Sequence, residues 1–277
     1  MTDPFGLLAA APAPNEPGGD PWLTARLAAL RGIIAGERAL YRKAMDMFTK
    51  FTEFVKPKVV QGKHIDPAGV FAGVPLWRKL TGAFVHEGVA PILRESYNRG
   101  RRQANAPDID VESFHALPYT LRYLDEVQNK LVRVPDELFN ELRTVLKDGT
   151  KEGVPIPDLA EFIEKELLNG NAEVWKNRGV VVARTEVIGA NNGGQFQAFQ
   201  DLGKDIGDVY VKRWLATHDH RTRATHRVAD GQTVPIAAPF TVGGFPAMFP
   251  GEKTLPPQES IQCRCSVLYL KEGEEVA

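Results

Sequence analysis

The sequence is poor in cysteine. Its 277 residues include only two, and a single residue separates them in Cys263-Arg264-Cys265. A pair this close cannot build a disulfide framework, which excludes the small secreted folds that depend on one. Free thiols are typical of a reducing compartment, so we expect the protein to fold in a cytoplasm.

Long apolar runs are also absent. No stretch approaches the roughly 18 apolar residues that a membrane-spanning helix needs. The short apolar patch from Phe5 to Ala11 has no basic region before it, so we expect no signal peptide. The sequence therefore predicts no membrane partner.

Neither charge sign is in excess, because 34 basic and 35 acidic side chains leave a formal net charge of -1. No global field attracts nucleic acid to such a chain, so any contact with phosphates would have to be local. The densest basic cluster has four members: Arg94, Arg99, Arg101 and Arg102. This cluster is either a solvated helix end or a patch that contacts phosphates.

Residues 1–20 are rich in proline and glycine and predict a flexible arm. Its apolar residues Phe5, Leu7 and Leu8 are candidate anchors if the arm becomes ordered on a partner. The alternative is a disordered terminus without a role.

Residues 21–137 are predicted to form a helical region. Apolar side chains recur every three, four or seven residues from Pro21 onward, which predicts a long amphipathic helix that Pro57 ends. The end of this helix is crowded with flexible or aromatic side chains: Met45, Met47, Phe48, Phe51 and Phe54. They form either an adaptable binding surface or part of the protein's own core.

Further helices are predicted from Pro75 with a break near Gly88 and Pro91, at 114–131, 135–149, 158–168 and 172–189. Asn191-Asn192-Gly193-Gly194 is expected to interrupt the last helix, with Phe196 and Phe199 as candidates to continue it beyond the interruption. Beyond Gly207 the pattern changes to short strands at 208–216, 232–236, 240–242 and 261–270. The fold class predicted is α+β, with a helical N-terminal half followed by a small, loop-rich, β-containing C-terminal domain.

The polar side chains that suit a site are concentrated between Lys212 and Leu270, with two more on the preceding helix. The candidates are Arg184, Glu186, Trp214, Asp219, Arg223, His226, Asp230, Glu259, Cys263, Arg264 and Cys265. We expect most of them to converge and to hold the C-terminal strand against the strand of Trp214. Bidentate pairs between arginine and carboxylate stabilise loop-rich domains in this way, so no catalytic role is assigned.

Two metal-binding alternatives stay open at this point. On a strand, Cys263 and Cys265 share a face, so they are either core thiols or, with His226, ligands of a structural zinc ion. The run His218-Asp219-His220 together with His226 is also compatible with a metal-dependent nuclease or hydrolase. No matching asparagine and histidine follow on a later helix, and no cofactor is otherwise expected.

The order of these residues resembles a known family. It runs Ala183-Arg184-Thr185-Glu186, Ala190-Asn191, Trp214, Asp219, Arg223-x-x-His226, Asp230-Gly231, Phe240, Pro250, Glu259 and Cys263-Arg264-Cys265. This pattern, from about Leu138 to Leu268, is similar to the phage minor head protein family with its phage Mu F-like head-morphogenesis domain. One departure is Gln262, where the family usually has asparagine, and both side chains are amides.

The resemblance implies a virion component and not an enzyme. Residues 138–277 would form the Mu F-like domain, and the protein would act in head morphogenesis, portal association and DNA packaging or ejection. Its expected partners are the portal protein and the inner capsid, with viral DNA as a further partner through the arginine cluster. Its expected location is the virion head, and the host cytoplasm during assembly.

Overall fold

The computed structural model describes residues 21–62, 64–206 and 209–273. The arm predicted at residues 1–20 lies outside these ranges, so its anchors remain a prediction.

Helices account for most of the described chain. In order they are α1 Pro21–Val59, α2 Val74–Phe84, α3 Ala90–Gln103, α4 Val111–Ala116, α5 Pro118–Leu131, α6 Val134–Lys151, α7 Ile156–Phe162, α8 Glu173–Ile206, α9 Ala224–Ala229 and α10 Pro257–Ser260. A 3-10 helix covers Pro67–Gly73, and π-helical turns cover Val85–Val89 and Ile163–Leu167. The π-turn at Val85–Val89 separates α2 from α3 where the sequence predicted a break.

The strands are short and antiparallel. They are β1 Val60–Gln61, β2 His64–Ile65, β3 Tyr210–Leu215, β4 Thr233–Pro235, β5 Phe240–Val242, β6 Phe245–Ala247 and β7 Ser266–Lys271. Strand β3 lies between β4 and β7, while β1 pairs with β2 and β5 pairs with β6. Helices followed by small antiparallel sheets confirm the predicted α+β class.

The described chain divides into two compact units. One comprises residues 21–38, 89–121 and 183–273 with the gap noted above, and the other comprises residues 39–88 and 122–182. The consecutive segments 21–137 and 138–277 inferred from the sequence stay a prediction.

The second unit has an aromatic core around the end of α1. The ring of Phe48 lies 5.9 Å from that of Trp77 and 4.9 Å from that of Trp175, measured between centroids. Each indole N–H donates to a backbone carbonyl oxygen, Trp77 to Leu131 at 2.8 Å and Trp175 to Leu167 at 2.7 Å. Both large side chains are therefore buried without an unsatisfied donor.

The methionines and phenylalanines of α1 are largely core residues. Met47, Phe48 and Phe51 are at most 2% exposed, so the interpretation of this set as a binding surface is wrong for them. Phe54 remains 39% exposed, and the Lys58 ammonium lies 3.8 Å from its ring centroid.

Pro57 does not end α1, contrary to the prediction, because the helix continues to Val59. Val55 and Val59 are fully buried on either side of it. The proline removes one backbone hydrogen bond of the last turn, so the burial of these two valines outweighs its unfavourable propensity. Gly149 likewise fails to stop α6, because a glycine inside the helix lets Leu159 pack against the backbone.

The first unit is organised around α8. Phe199 on this helix stacks on Tyr269 of β7, with ring centroids 4.5 Å apart, and meets Tyr210 of β3 edge-on at 5.0 Å. The aromatic side chains therefore fix one face of the β3–β7 pair against the helix.

The interruption predicted at 191–194 is wrong, because α8 continues through it to Ile206. A side chain at Gly194 would meet the backbone of Leu93 and Tyr97 on α3. Glycine is therefore needed at this position for a close helix crossing, and the packing gained there offsets its poor helix propensity. Across the described residues, we find no helix with the length and apolar character to cross a membrane.

This crossing generates a stability prediction. Gly194→Ala would place a methyl carbon 2.5 Å from the Leu93 carbonyl oxygen and 2.9 Å from the Tyr97 amide nitrogen. Because backbone atoms cannot rotate away, we expect the free energy of unfolding to fall by about 1–3 kcal/mol. Chemical denaturation of the purified protein measures the change.

Gly82→Ala on α2 is the matched control. The nearest atom to its new methyl group is Gln128 Nε2 at 3.8 Å, an ordinary contact. The same replacement there should leave stability unchanged or raise it by up to about 1 kcal/mol. Equal effects at the two glycines would contradict the close-crossing explanation.

Candidate functional site

The polar side chains predicted from the sequence come from four segments around β3 and β7. A turn at residues 217–222 follows β3, α9 carries His226, α10 carries Glu259, and an extended segment at 263–265 leads into β7. Strand β3 pairs with β7 along its length, from Tyr210 opposite Lys271 to Leu215 opposite Ser266. The turn after β3 and the segment before β7 therefore lie at the same end of the sheet.

Asp219 and Arg264 join these two segments. The Arg264 guanidinium donates to both carboxylate oxygens of Asp219, with the Nη2–Oδ1 distance at 2.6 Å. Asp219 Oδ1 also accepts from the Arg221 amide at 2.9 Å and from the Thr222 hydroxyl at 3.2 Å. These bonds, led by those from Arg264, hold the pKa of Asp219 well below its ordinary value of 3.8.

Arg223 and Asp230, at the two ends of α9, form hydrogen bonds to the backbone of neighbouring segments. Arg223 precedes α9 and donates from Nη2 to the Ile261 carbonyl oxygen. Asp230 ends α9, where its carboxylate accepts from the Ala216 amide and contacts the His218 imidazole. Both side chains thus bond to nearby protein groups.

His226 lies at the centre of the buried part of the cluster. Its Nε2 is 3.0 Å from Glu259 Oε2, and its Nδ1 is 3.3 Å from Cys265 Sγ and 3.8 Å from Cys263 Sγ. Both thiols are 1% exposed and His226 is 2% exposed. The indole of Trp214 meets the imidazole edge-on, with centroids 5.8 Å apart.

The two thiols influence each other's ionisation. Hydrogen bonding from Cys265 lowers the pKa of Cys263 well below its ordinary value, because a thiolate that accepts a hydrogen bond is stabilised. The same contact raises the pKa of Cys265, since removing its proton would place two negative charges together.

The predicted strand at 261–270 is only partly correct. Regular pairing begins at Ser266, so both cysteines precede β7 in extended backbone. The predicted inward face nevertheless holds for Cys263, Cys265, Val267 and Tyr269, which are buried. Ile261 is 40% exposed because residues 261 and 262 form a turn, and Gln262 has a positive φ.

Three consecutive residues of α8 form polar contacts with three different segments of the chain. Arg184 Nε donates to the buried carboxylate of Glu37 on α1 at 3.3 Å. Thr185 Oγ1 accepts from the Gln262 amide at 3.1 Å, and Glu186 pairs with the buried Lys253 ammonium. Arg184 and Glu186 thus act on the same unit as the cluster but outside the thiol–imidazole group.

Sequence analysis missed the part played by Asn192. This residue is fully buried on α8, and its Nδ2 donates to the carbonyl oxygens of Pro250 at 2.9 Å and Cys265 at 3.0 Å. An Asn-Asn pair beside two glycines is typical of a turn, so the sequence did not indicate that Asn192 lies in a helix. Its amide group donates to two loop carbonyl oxygens from that position.

Lys212 was also missed, because a single lysine on a strand is ordinary at the surface. Here it is fully buried, its Nζ donates to the Met248 carbonyl oxygen at 2.8 Å, and it lies over the rings of Phe196 and Phe240. Burial lowers the pKa of Lys212 from 10.5 to about 8. The charged side chain thus ties β3 to the loop after β6 at some cost in desolvation.

The arginine cluster on α3 is mostly engaged within the chain. Arg102 pairs with Glu95 and Asp108, Arg101 donates to the Pro107 carbonyl oxygen, and Arg99 donates to Asn191 Oδ1 at 3.0 Å. Arg94 is half-buried. These contacts give the cluster a structural role and leave its guanidinium groups less available to phosphates.

The histidines of the nuclease alternative do not assemble into a metal site. His218 contacts Asp230, Asp219 is bound by Arg264, and His220 is exposed. Among the described residues, the only group of histidine, cysteine or carboxylate side chains placed to hold an ion is His226, Cys263 and Cys265.

The Asp219–Arg264 pair generates the site prediction. Asp219→Asn keeps the shape of the side chain but removes the charge opposite Arg264, whose side chain is 10% exposed. We expect a loss of about 2 kcal/mol at neutral pH, less than for a fully buried pair because Asp219 is 31% exposed. Because the folded pKa is depressed, the wild type loses this advantage as the pH falls below 3.8, so the two unfolding curves should converge in acid.

Arg221→Gln is the matched control on the same carboxylate. Its Nη2 lies 3.7 Å from Asp219 Oδ2 and its side chain is 41% exposed, so stability should change by less than about 0.5 kcal/mol. An Asn variant as stable as the wild type at neutral pH would contradict the assigned role.

Comparison with known proteins agrees with these motifs. The family model described as "Phage Mu protein F like protein" matches residues 140–268. The chain is 29% identical over 147 residues to the NAD(+)--arginine ADP-ribosyltransferase EFV of Enterococcus faecalis, covering 53% of this chain and 29% of that protein. It is 26% identical over 139 residues to the Minor head protein GP7 of Bacillus phage SPP1, covering 50% and 42% respectively.

The chain thus spans less than half the length of either relative. No solved structure matches it. The matched region contains Arg184, Asn192, Asp219, His226 and Arg264, which supply the contacts described above. Residues 140–268 are thus similar to the phage Mu F-like family, and the same part of the chain resembles a minor head protein, as its motifs predicted.

Proposed function

We propose that this protein is a minor structural component of a phage head, acting in head morphogenesis through contacts with other head proteins. The family assignment supports a capsid role, and one relative is itself named a minor head protein. Portal association and a part in DNA packaging or ejection are the finer elements of this proposal.

The observation that carries the proposal is that the carboxylates of the family motifs are paired within the chain. Asp219 is bound by Arg264, Glu259 by His226 and Thr225, and Asp230 by its neighbours. An active site needs groups that remain open to a substrate, whereas a framework for assembly needs its polar groups satisfied internally. The arrangement therefore favours a framework over a catalyst.

The distribution of charge favours a protein partner over DNA. The net charge is -1, and three of the four clustered arginines donate to groups of the chain itself. DNA affinity depends on several cationic side chains facing phosphates together. Contact with the portal protein or inner capsid is the better supported form of the proposal.

The nuclease or hydrolase alternative is not favoured. Its histidines have separate environments among the described residues, with His218 and His220 exposed and His226 in the thiol cluster. The ADP-ribosyltransferase activity in one relative's name belongs to a protein of which the match covers 29%. We therefore propose a non-enzymatic role for this chain.

Head incorporation tests the proposal. We expect mass spectrometry of purified heads from the phage that encodes this chain to detect it, and the portal protein to co-purify with a tagged copy. The double variant His218→Ala/His220→Ala should be incorporated and support infection at the wild-type level, because the proposal gives these two exposed imidazoles no catalytic part and Asp230 keeps its bond to the Ala216 amide.

Asp219→Asn provides the contrasting variant, since it weakens the framework and should reduce incorporation. Absence of the wild-type chain from purified heads would contradict the structural role. Heads that contain the histidine variant but have lost infectivity would instead favour the enzymatic alternative.

A further inference from the structure

Three buried side chains meet at one point in the C-terminal part of the chain. The ligand-type atoms of His226, Cys263 and Cys265 all lie within 4.8 Å of one another, and the three residues are at most 2% exposed. We propose that this group is a structural zinc site that fastens α9 to the segment leading into β7.

The spacing of the atoms fits tetrahedral coordination. Zinc bonds of about 2.3 Å to sulfur and 2.0–2.1 Å to nitrogen, at tetrahedral angles, separate the ligand atoms by about 3.5–3.8 Å. His226 Nδ1 is 3.3 Å from Cys265 Sγ and 3.8 Å from Cys263 Sγ. Both nitrogen–sulfur distances therefore lie within a few tenths of an ångström of the tetrahedral spacing, and the two sulfur atoms lie within 4.8 Å of each other.

The orientation of the imidazole also fits. Glu259 Oε2 lies 3.0 Å from His226 Nε2, so in the tautomer that suits a metal ion the Nε2–H group donates to the carboxylate and the lone pair of Nδ1 faces the thiols. Thr225 Oγ1 donates to the same carboxylate oxygen at 2.8 Å and fixes its position. A carboxylate behind a ligating histidine is the usual outer support of zinc sites.

The ligand chemistry selects zinc among common ions. Two thiolates with one imidazole suit a soft or borderline ion and disfavour magnesium and calcium, which prefer oxygen ligands. These three protein ligands leave the fourth tetrahedral position to a water molecule. Because the three residues are at most 2% exposed, that position faces the protein interior, which suits a structural ion better than a catalytic one.

The site would cross-link a long, weakly structured stretch. His226 and Cys263 are 37 residues apart in sequence, and the segment between them contains only short strands and α10. A bond network through a metal ion would hold the ends of this stretch together without requiring a larger core. This stabilising role goes beyond the proposed assembly function and does not depend on it.

Elemental analysis of the full chain tests the proposal directly. Protein purified without metal-affinity chromatography from cells grown without added metal should carry close to one zinc ion per chain. Cys263→Ser and Cys265→Ser should each lose it. Glu259→Gln should retain the site with affinity lower by about 10–100-fold. His218→Ala, which removes a histidine outside the group, is the matched control and should keep full zinc content.

A second measurement covers variants that fail to fold. Treating the wild type with a zinc chelator should lower its melting temperature, and adding zinc but not magnesium should restore it. Cobalt substitution should produce thiolate-to-cobalt absorption and the visible bands of tetrahedral cobalt, and X-ray absorption of the zinc protein should show two sulfur neighbours.

Wild-type protein that is folded, metal-free and indifferent to chelator and zinc would overturn the proposal, leaving a hydrogen-bonded thiol–imidazole core. Stoichiometric copper or iron in place of zinc would overturn the choice of metal.

Discussion

Residues 186–196 of helix α8, which carry part of the family motifs, are all buried. This part of the helix is therefore surrounded by protein on every side. A helix in this position has no solvent-facing side on which polar residues can be placed. The side chains of Asn191 and Asn192 form hydrogen bonds inside the protein, since an unsatisfied buried polar group costs about 1–3 kcal/mol. The Oδ1 atom of Asn192 is left without a partner. This constraint determines which loops can pack around the helix and in what order.

The surrounding loops supply the partners of these buried polar side chains, in the form of backbone carbonyl oxygens and a side chain of opposite charge. Asn192 binds the carbonyls of two separate loops, and Glu186 binds Lys253 from the segment between them. Asp219 and Arg264 then connect the turn after β3 to the segment before β7. A domain with strands of three to six residues obtains its shape from these contacts more than from its sheet.

The parts of the fold with strong periodicity could be predicted from sequence. The strand Phe240–Val242 and the inward face shared by Cys263, Cys265 and Tyr269 follow from two-residue alternation. The motif order also predicted the family that residues 140–268 match.

Features that depend on distant packing could not be predicted. Helix α9 is six residues long, too short for an apolar period, yet it positions His226. From sequence alone Gly194 is typical of a turn, because its close contact with the backbone of α3 is visible only in the folded structure. The hydrogen bonds of the Asn192 amide could not be predicted either, because its carbonyl partners lie 58 and 73 residues away in sequence.

The central claim is that paired motif residues, above all Asp219 and Arg264, stabilise the fold. A double-mutant cycle on Asp219 and Arg264 tests it most directly, using Asp219→Asn, Arg264→Gln and the double variant in equilibrium unfolding at neutral pH. The account predicts a coupling energy of about 2 kcal/mol, within the range for residues in one buried network. A coupling near zero, with each single variant as stable as the wild type, would contradict it.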